Sequence, residues 1–316
     1  TAQLAAGDRQ ALARTITLLE SSRDEDNRIA RAILATLLPK TGQAIRLGIS
    51  GAPGVGKSTL IEAVGLHLIA QRRRVAVLAI DPTSPTTGGS ILGDKTRMPE
   101  LAVQTAAYIR PSPNRGHLGG VTETTREALL LCEAAGVDVV IVETVGVGQS
   151  EVRGASMVDC LMGLMAPATG DVLQGIKRGI VELCDLLVVN KADGTLLPEA
   201  QKTQASYQDA LLTMTKDGWQ VPVLLCSAMH LRGIDELWQT VQAHHRAMTT
   251  SGQHHARRQS QRAAWFWQAV EERLSRSLSE DPAMSQDKAT TLQDVMANRI
   301  SPSDAAERLV ERFLRR

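Results

Sequence analysis

The eight residues Gly51-Ala-Pro-Gly-Val-Gly-Lys57-Ser58 constrain this chain more than any other feature. They fit G-x-x-x-x-G-K-[ST], the phosphate-binding P-loop. The run before them, Ala44–Ser50, is mostly apolar and predicts a buried strand. The run after them, Thr59–Ile69, has helical periodicity. Strand, Gly-rich loop and helix form the context that the motif needs. Glycines let backbone N–H groups curl around phosphate oxygens, and the helix N-terminus adds its positive end. Gly51, Ala52, Gly54, Val55, Gly56, Lys57, Ser58 and Thr59 are therefore expected to cradle a nucleotide. Lys57 would reach the β- and γ-phosphates, and the Ser58 hydroxyl would ligate Mg²⁺.

Seven short apolar runs surround and follow this loop: Ile45–Ser50, Val75–Ile80, Ala106–Arg110, Val137–Val142, Cys160–Ala166, Leu186–Asn190 and Val221–Cys226. Most are apolar throughout, as strands covered on both faces are. Helical patterns fall between most of them. The fold class expected is α/β: a mainly parallel central sheet flanked by helices, with helical N- and C-terminal extensions. Three segments are predicted: a helical extension over 1–43, a P-loop nucleotide domain over 44–250, and a helical C-terminal extension over 251–316. In the last, Ala263–Leu278 is amphipathic, with Trp265 and Trp267 on different faces. Ser301-Pro302 starts a final helix with Pro at its first position. The tail either packs on the parent domain or forms a dimer contact, since aromatics favour interface cores.

The base is selected elsewhere. Asn190-Lys191-Ala-Asp193 follows an apolar run, at the carboxyl end where open α/β sheets bind ligands. The Asp193 carboxylate can accept hydrogen bonds from guanine N1–H and its exocyclic amine. Adenine offers an acceptor at N1 and lacks that amine, so a site built this way rejects it. Lys191 can lay its stem along the base plane. Downstream, Ser227 and Ala228 follow another strand, where their backbone would meet guanine O6. GTP or GDP is the expected ligand.

Asp81 and Glu143 stand at strand ends. Mg²⁺ takes oxygen ligands and keeps several waters, so both carboxylates, with Ser58, are candidate metal ligands. A helix cap or solvated loop residue is the alternative for either. Lys57 and Glu143 are also candidate catalytic residues. The N–H of Gly146 would sense the γ-phosphate, and Gln149 would orient water or lie idle at the surface. In Gly170–Arg178, Lys177 or Arg178 would supply charge to the transition state, or form a solvated basic face. The long loops rich in Gly, Pro, Ser and Thr are of the kind that a γ-phosphate orders.

Composition narrows the class. Lys+Arg 35 against Asp+Glu 34 gives no reason to expect nucleic acid or anionic membrane as partner. No run reaches the roughly 18 apolar residues of a membrane helix. The opening residues lack the regions of a signal peptide and, lacking Met, are expected to follow a few others. The isolated Cys132, Cys160, Cys184 and Cys226 are expected as buried reduced thiols, which suits the cytoplasm or another reducing compartment.

Together Gly51–Ser58, Asp81–Ser84, Gly88–Met98, Glu143–Glu151, Gly170-Asp171, Leu173–Lys177 and Asn190–Asp193 resemble the MeaB/MMAA/ArgK family of G proteins, most closely its bacterial branch. The resemblance covers nearly the whole chain. It implies a homodimeric GTPase that acts as chaperone to adenosylcobalamin-dependent methylmalonyl-CoA mutase, gating cofactor loading and protecting the mutase. It implies that Ser58, Asp81 and Glu143 serve Mg²⁺ and that Lys177 is the activating lysine of a switch loop. Val172 and Arg178 depart from the family's second acid and second lysine. The chain has no cobalamin-binding Asp-x-His-x-x-Gly, so cobalamin would reach it only through a partner. Two rivals are an ATP-dependent kinase of a transport-system binding protein (lysine/arginine/ornithine type) and a nickel-insertion GTPase. The kinase needs a catalytic base that does not stand out. The nickel enzyme wants Cys/His clusters, and the close pairs His244-His245 and His254-His255 read as surface histidines.

Overall fold

The structure, a computed structural model, describes all residues except 22, 81–96, 111–117, 145–153, 168–177, 213–214 and 316. The chain divides into two compact units, Thr1–Gln261 and Arg262–Arg316.

In the first unit, seven strands among the described residues form one parallel sheet. They are β1 Ile45–Gly51, β2 Val75–Ile80, β3 Ala107–Arg110, β4 Val139–Thr144, β5 Cys160–Met165, β6 Leu186–Val189 and, after a short hairpin, β9 Val223–Leu225. Their order is β3-β2-β4-β1-β5-β6-β9. All seven apolar runs of the sequence are strands here. Every residue of β4, β5 and β6 is buried, as in a sheet covered on both faces. From β1 the chain moves outward to β2 and β3, then returns to β4 and crosses to β5. This reversal opens a crevice at the carboxyl ends of the central strands.

Helix α4 Lys57–Ala70 runs from the P-loop across one face. Leu60, Ile61, Val64 and Leu68 are fully buried between the sheet and helix α9 Ile234–Thr250. At about 1.5–3 kcal/mol for each large aliphatic side chain, this packing anchors the helix that carries the phosphate loop. Helices α2 Arg9–Leu19 and α3 Asp24–Leu37 pack on α6 Leu118–Ala134. Arg31 pairs there with Glu123 at 2.9 Å and Glu127 at 3.2 Å. The four cysteines are buried and free. The sequence reading missed a hairpin of β7 Thr215–Lys216 and β8 Trp219–Gln220. Its turn, Asp217-Gly218, has φ of 53° and 79°; Asp-Gly is the local sequence signal for that geometry.

The second unit holds the rest of α10 Gln253–Glu280, with α11 Ser285–Met296 and α12 Pro302–Leu314. Ser301 caps α12 through the Asp304 N–H at 3.1 Å, with Pro302 in its first turn, as expected. Phe266 and Trp267 meet edge-on, 5.3 Å apart, and are 60% and 63% exposed. No helix of the described residues is long and apolar enough to cross a membrane.

Candidate functional site

The site lies at the carboxyl ends of β1, β4, β6 and β9. β1 ends at Gly51 and α4 begins at Lys57, so five residues turn the chain through the loop. Gly54 and Gly56 have φ of 78° and 97°, a region open to glycine at little cost. Gly56 also has to be small: a Cβ there would stand 2.5 Å from Asn190 Nδ2. Lys57 is buried and its ammonium donates to the carbonyls of Gly51 at 2.8 Å and Ala52 at 3.1 Å. The ammonium thus lies over the loop that the motif assigns to phosphate. Ala52 and Gly54 are exposed, Val55 is buried beneath them, and Thr59 is exposed on the first turn of α4.

Parallel register brings a carboxylate to the same place. Glu143 on β4 stands level with Ile49 on β1 and Ala79 on β2. Glu143 is buried, and its Oε1 accepts a hydrogen bond from Ser58 Oγ at 3.4 Å. Two oxygen donors 85 residues apart in sequence therefore meet beside the P-loop. Asp81, Gly146 and Lys177, the other residues given metal, sensing or catalytic roles from sequence, lie outside the described residues, as do Gln149 and most of the 114–120 loop.

The residues predicted to select the base cluster at the ends of β6 and β9. Asn190 is 2% exposed and joins two loops. Its Nδ2 donates to the Val55 carbonyl at 3.0 Å, and its Oδ1 accepts from the Ala228 N–H at 3.1 Å. Lys191 has a left-handed φ of 61°, and its ammonium donates to the Gly54 carbonyl at 2.8 Å. The Ser227 hydroxyl donates to Asp193 Oδ2. The Ala192 N–H donates to the Cys226 carbonyl at 2.9 Å, tying the two loops together. So Asn190, Lys191, Asp193, Ser227 and Ala228, predicted as one recognition set, do converge, and two of them touch the P-loop. Burial pushes the Cys226 thiol up to about 12, so this nearby cysteine is no thiolate nucleophile at neutral pH. Sequence reasoning missed His230, whose Nε2 stands 3.9 Å from Asp193 Oδ1. Its only signal was its place just beyond Ser227-Ala228.

One expectation fails. The histidine pairs are not simply surface residues. His244 is 2% exposed, with its ring edge-on to Trp219 at 5.1 Å. His245 and His254 are partly buried and meet each other at 4.9 Å. The reason is helical spacing: His244 continues the buried stripe Leu237, Val241, Met248 of α9.

Comparison with known proteins identifies the family. The family model described as methylmalonyl Co-A mutase-associated GTPase MeaB matches residues 12–283. A probable GTPase of Mycobacterium tuberculosis is 50% identical over 96% of this chain and 91% of its own. The GTPase ArgK of Escherichia coli is 45% identical over 98% of this chain and 94% of its own. The mouse mitochondrial methylmalonic aciduria type A homolog is 43% identical over 98% of this chain and 78% of its own. A crystal structure described as an LAO/AO transport system kinase shares 38% identity and a TM-score of 0.77, covering 100% of this chain and 96% of that one. With its P-loop, its Asn190–Asp193 cluster and these relatives, the chain belongs to the MeaB family of GTPases and is a GTP hydrolase.

Proposed function

We propose that this chain is a Mg²⁺-dependent GTPase whose nucleotide state governs an adenosylcobalamin-dependent methylmalonyl-CoA mutase, as its metallochaperone and protective G protein. The observation that carries the reading is the family match over residues 12–283, whose description names the mutase. The convergence of P-loop and base-selecting residues in one crevice supports the nucleotide half. The pair Ser58 Oγ and Glu143 Oε1 is all oxygen, the chemistry that a hard cation takes. Ser58 and Glu143, with Asp81, would hold Mg²⁺, which when bound would neutralise charge on the phosphates. The chain's own groups do the rest by positioning. Lys57 binds phosphate oxygens, Asp193 orients the base, and the P-loop N–H groups hold the phosphates for attack by water. Gly146 and Lys177 belong to this proposal as γ-phosphate sensor and activating cation.

A homodimer in the cytoplasm completes the reading, with no nucleic acid or membrane as partner. The exposed Phe266 and Trp267 of the C-terminal unit support a dimerisation element in 251–316. GTP turnover measured with and without purified mutase tests it. The expected result is a complex and a faster rate with mutase; no complex and an unchanged rate would overturn the mutase assignment. A second reading, a protein kinase, takes its support from the description of the solved relative. Phosphate transferred from ATP to a transport binding protein, with GTP ignored, would favour it.

A further inference from the structure

We propose that Asp159, His245 and His254 form a binding site for a borderline-soft divalent cation such as Zn²⁺, at the edge of the sheet opposite the nucleotide. Asp159 directly precedes β5. His245 lies near the end of α9 and His254 in the first turn of α10. Their ligand atoms all lie within 4.8 Å of one another.

Three observations favour a metal over simple packing. His245 Nδ1 is buried without a hydrogen-bond partner, a condition that native interiors seldom tolerate. His254 Nε2 pairs with Asp159 Oδ1 at 3.4 Å, at the long end of such contacts. That distance matches the edge, about 3.4 Å, of a tetrahedron whose metal–ligand bonds are about 2.1 Å. The two imidazole rings cross at 82°, so they converge without stacking. Small side-chain rotations would close the remaining gap, and a water would complete the four-coordinate set.

The surroundings prepare the carboxylate. Arg258 holds Asp159 from one side, Nε to Oδ1 at 2.8 Å and Nη2 to Oδ2 at 2.7 Å. The Arg46 N–H donates to Oδ2 at 2.8 Å. Oδ1 therefore accepts one of these bonds where Oδ2 accepts two, and Oδ1 is the oxygen beside His254. Such outer partners fix a ligand's orientation. The positive charge of Arg46 is matched by Glu133 at 2.8 Å, which also faces Arg258 at 3.8 Å. Two histidines, a carboxylate and water suit Zn²⁺, Co²⁺ or Ni²⁺ rather than Mg²⁺. The bound ion would clamp the α9–α10 corner to the start of β5.

Cobalt titration of the untagged full chain, stripped of metal and then saturated with Mg²⁺ and GDP, tests the site. The expected result is the visible absorption of tetrahedral Co²⁺ at one equivalent per chain, displaced by Zn²⁺. His245→Ala and His254→Ala should each weaken it at least about tenfold while GDP affinity and circular dichroism stay unchanged. Absence of the band, or a band equal in both variants, would overturn the proposal. Should a variant fold poorly, the wild-type chain still decides: Zn²⁺ raises its unfolding temperature if the site exists and leaves it unmoved if not.

Discussion

The two edges of the sheet are held in opposite ways. At the carboxyl edge, loops meet through hydrogen bonds to backbone groups, as Asn190 to Val55 and Lys191 to Gly54. At the amino edge, buried ion pairs lock the strand starts. Arg46 grips Glu133 with two bonds of 2.8 and 3.0 Å, and Arg258 grips Asp159 in the same forked way. Asp185 takes Arg257 at 3.1 and 3.2 Å and Lys216 at 3.0 Å, and also accepts the Leu161 N–H at 2.8 Å. A backbone hydrogen bond exchanges with a ligand at small net cost, about 1 kcal/mol. Removing one partner of a buried ion pair costs several times more. The carboxyl edge, where the nucleotide is proposed to bind, is thus the edge held by the more readily exchanged contacts.

Arg258→Ala tests that division most severely. It leaves Asp159 and Glu133 short of a buried partner, and urea unfolding should show a loss of about 3–5 kcal/mol. GDP affinity in the folded protein should not follow; if it falls in step, the two edges are not separate. A smaller effect comes from His244, beside Asp185 at 3.7 Å. Burial outweighs that carboxylate and lowers its pKa from 6.5 to about 4. The unfolded chain therefore takes up a proton that the folded chain refuses. This contribution is complete above pH 6.5 and is lost as pH falls toward 4, by up to about 3 kcal/mol. Stability of His244→Leu should lack this fall when the two pH profiles are subtracted; parallel profiles would count against it. Smallest is Asp193→Asn at the ligand edge. Its GTP affinity should drop by about 2 kcal/mol, near thirtyfold, with xanthosine triphosphate gaining and unfolding free energy unmoved. Unchanged selectivity between the two nucleotides would remove Asp193 from base recognition.

The same division decided what could be read from the chain. Seven strands were legible because most are nearly continuous apolar runs, and the P-loop because its eight residues are consecutive. Asn190–Asp193 was legible for the same reason. The amino-edge network was not, because Arg46 and Glu133 are 87 residues apart, and Arg258 and Asp159 are 99 apart. Arg257 and Arg258 sit in a polar stretch that suggests a solvated surface, although Arg258 is 3% exposed. A faint sign did exist: Asp138, Asp159 and Asp185 each immediately precede an apolar strand. Each accepts a backbone N–H from a neighbouring strand or from the residue leading into one.

Asn190 spends its donor on one loop and its acceptor on another. That double use limits which amino acids the position can carry. Aspartate has the right shape but offers two acceptors, one of them facing the Val55 carbonyl. Leucine fills the same space and offers neither group. Glutamine keeps both groups on a stem one carbon longer, pressed against Gly56. Position 190 therefore serves the protein's own wiring as well as any nucleotide.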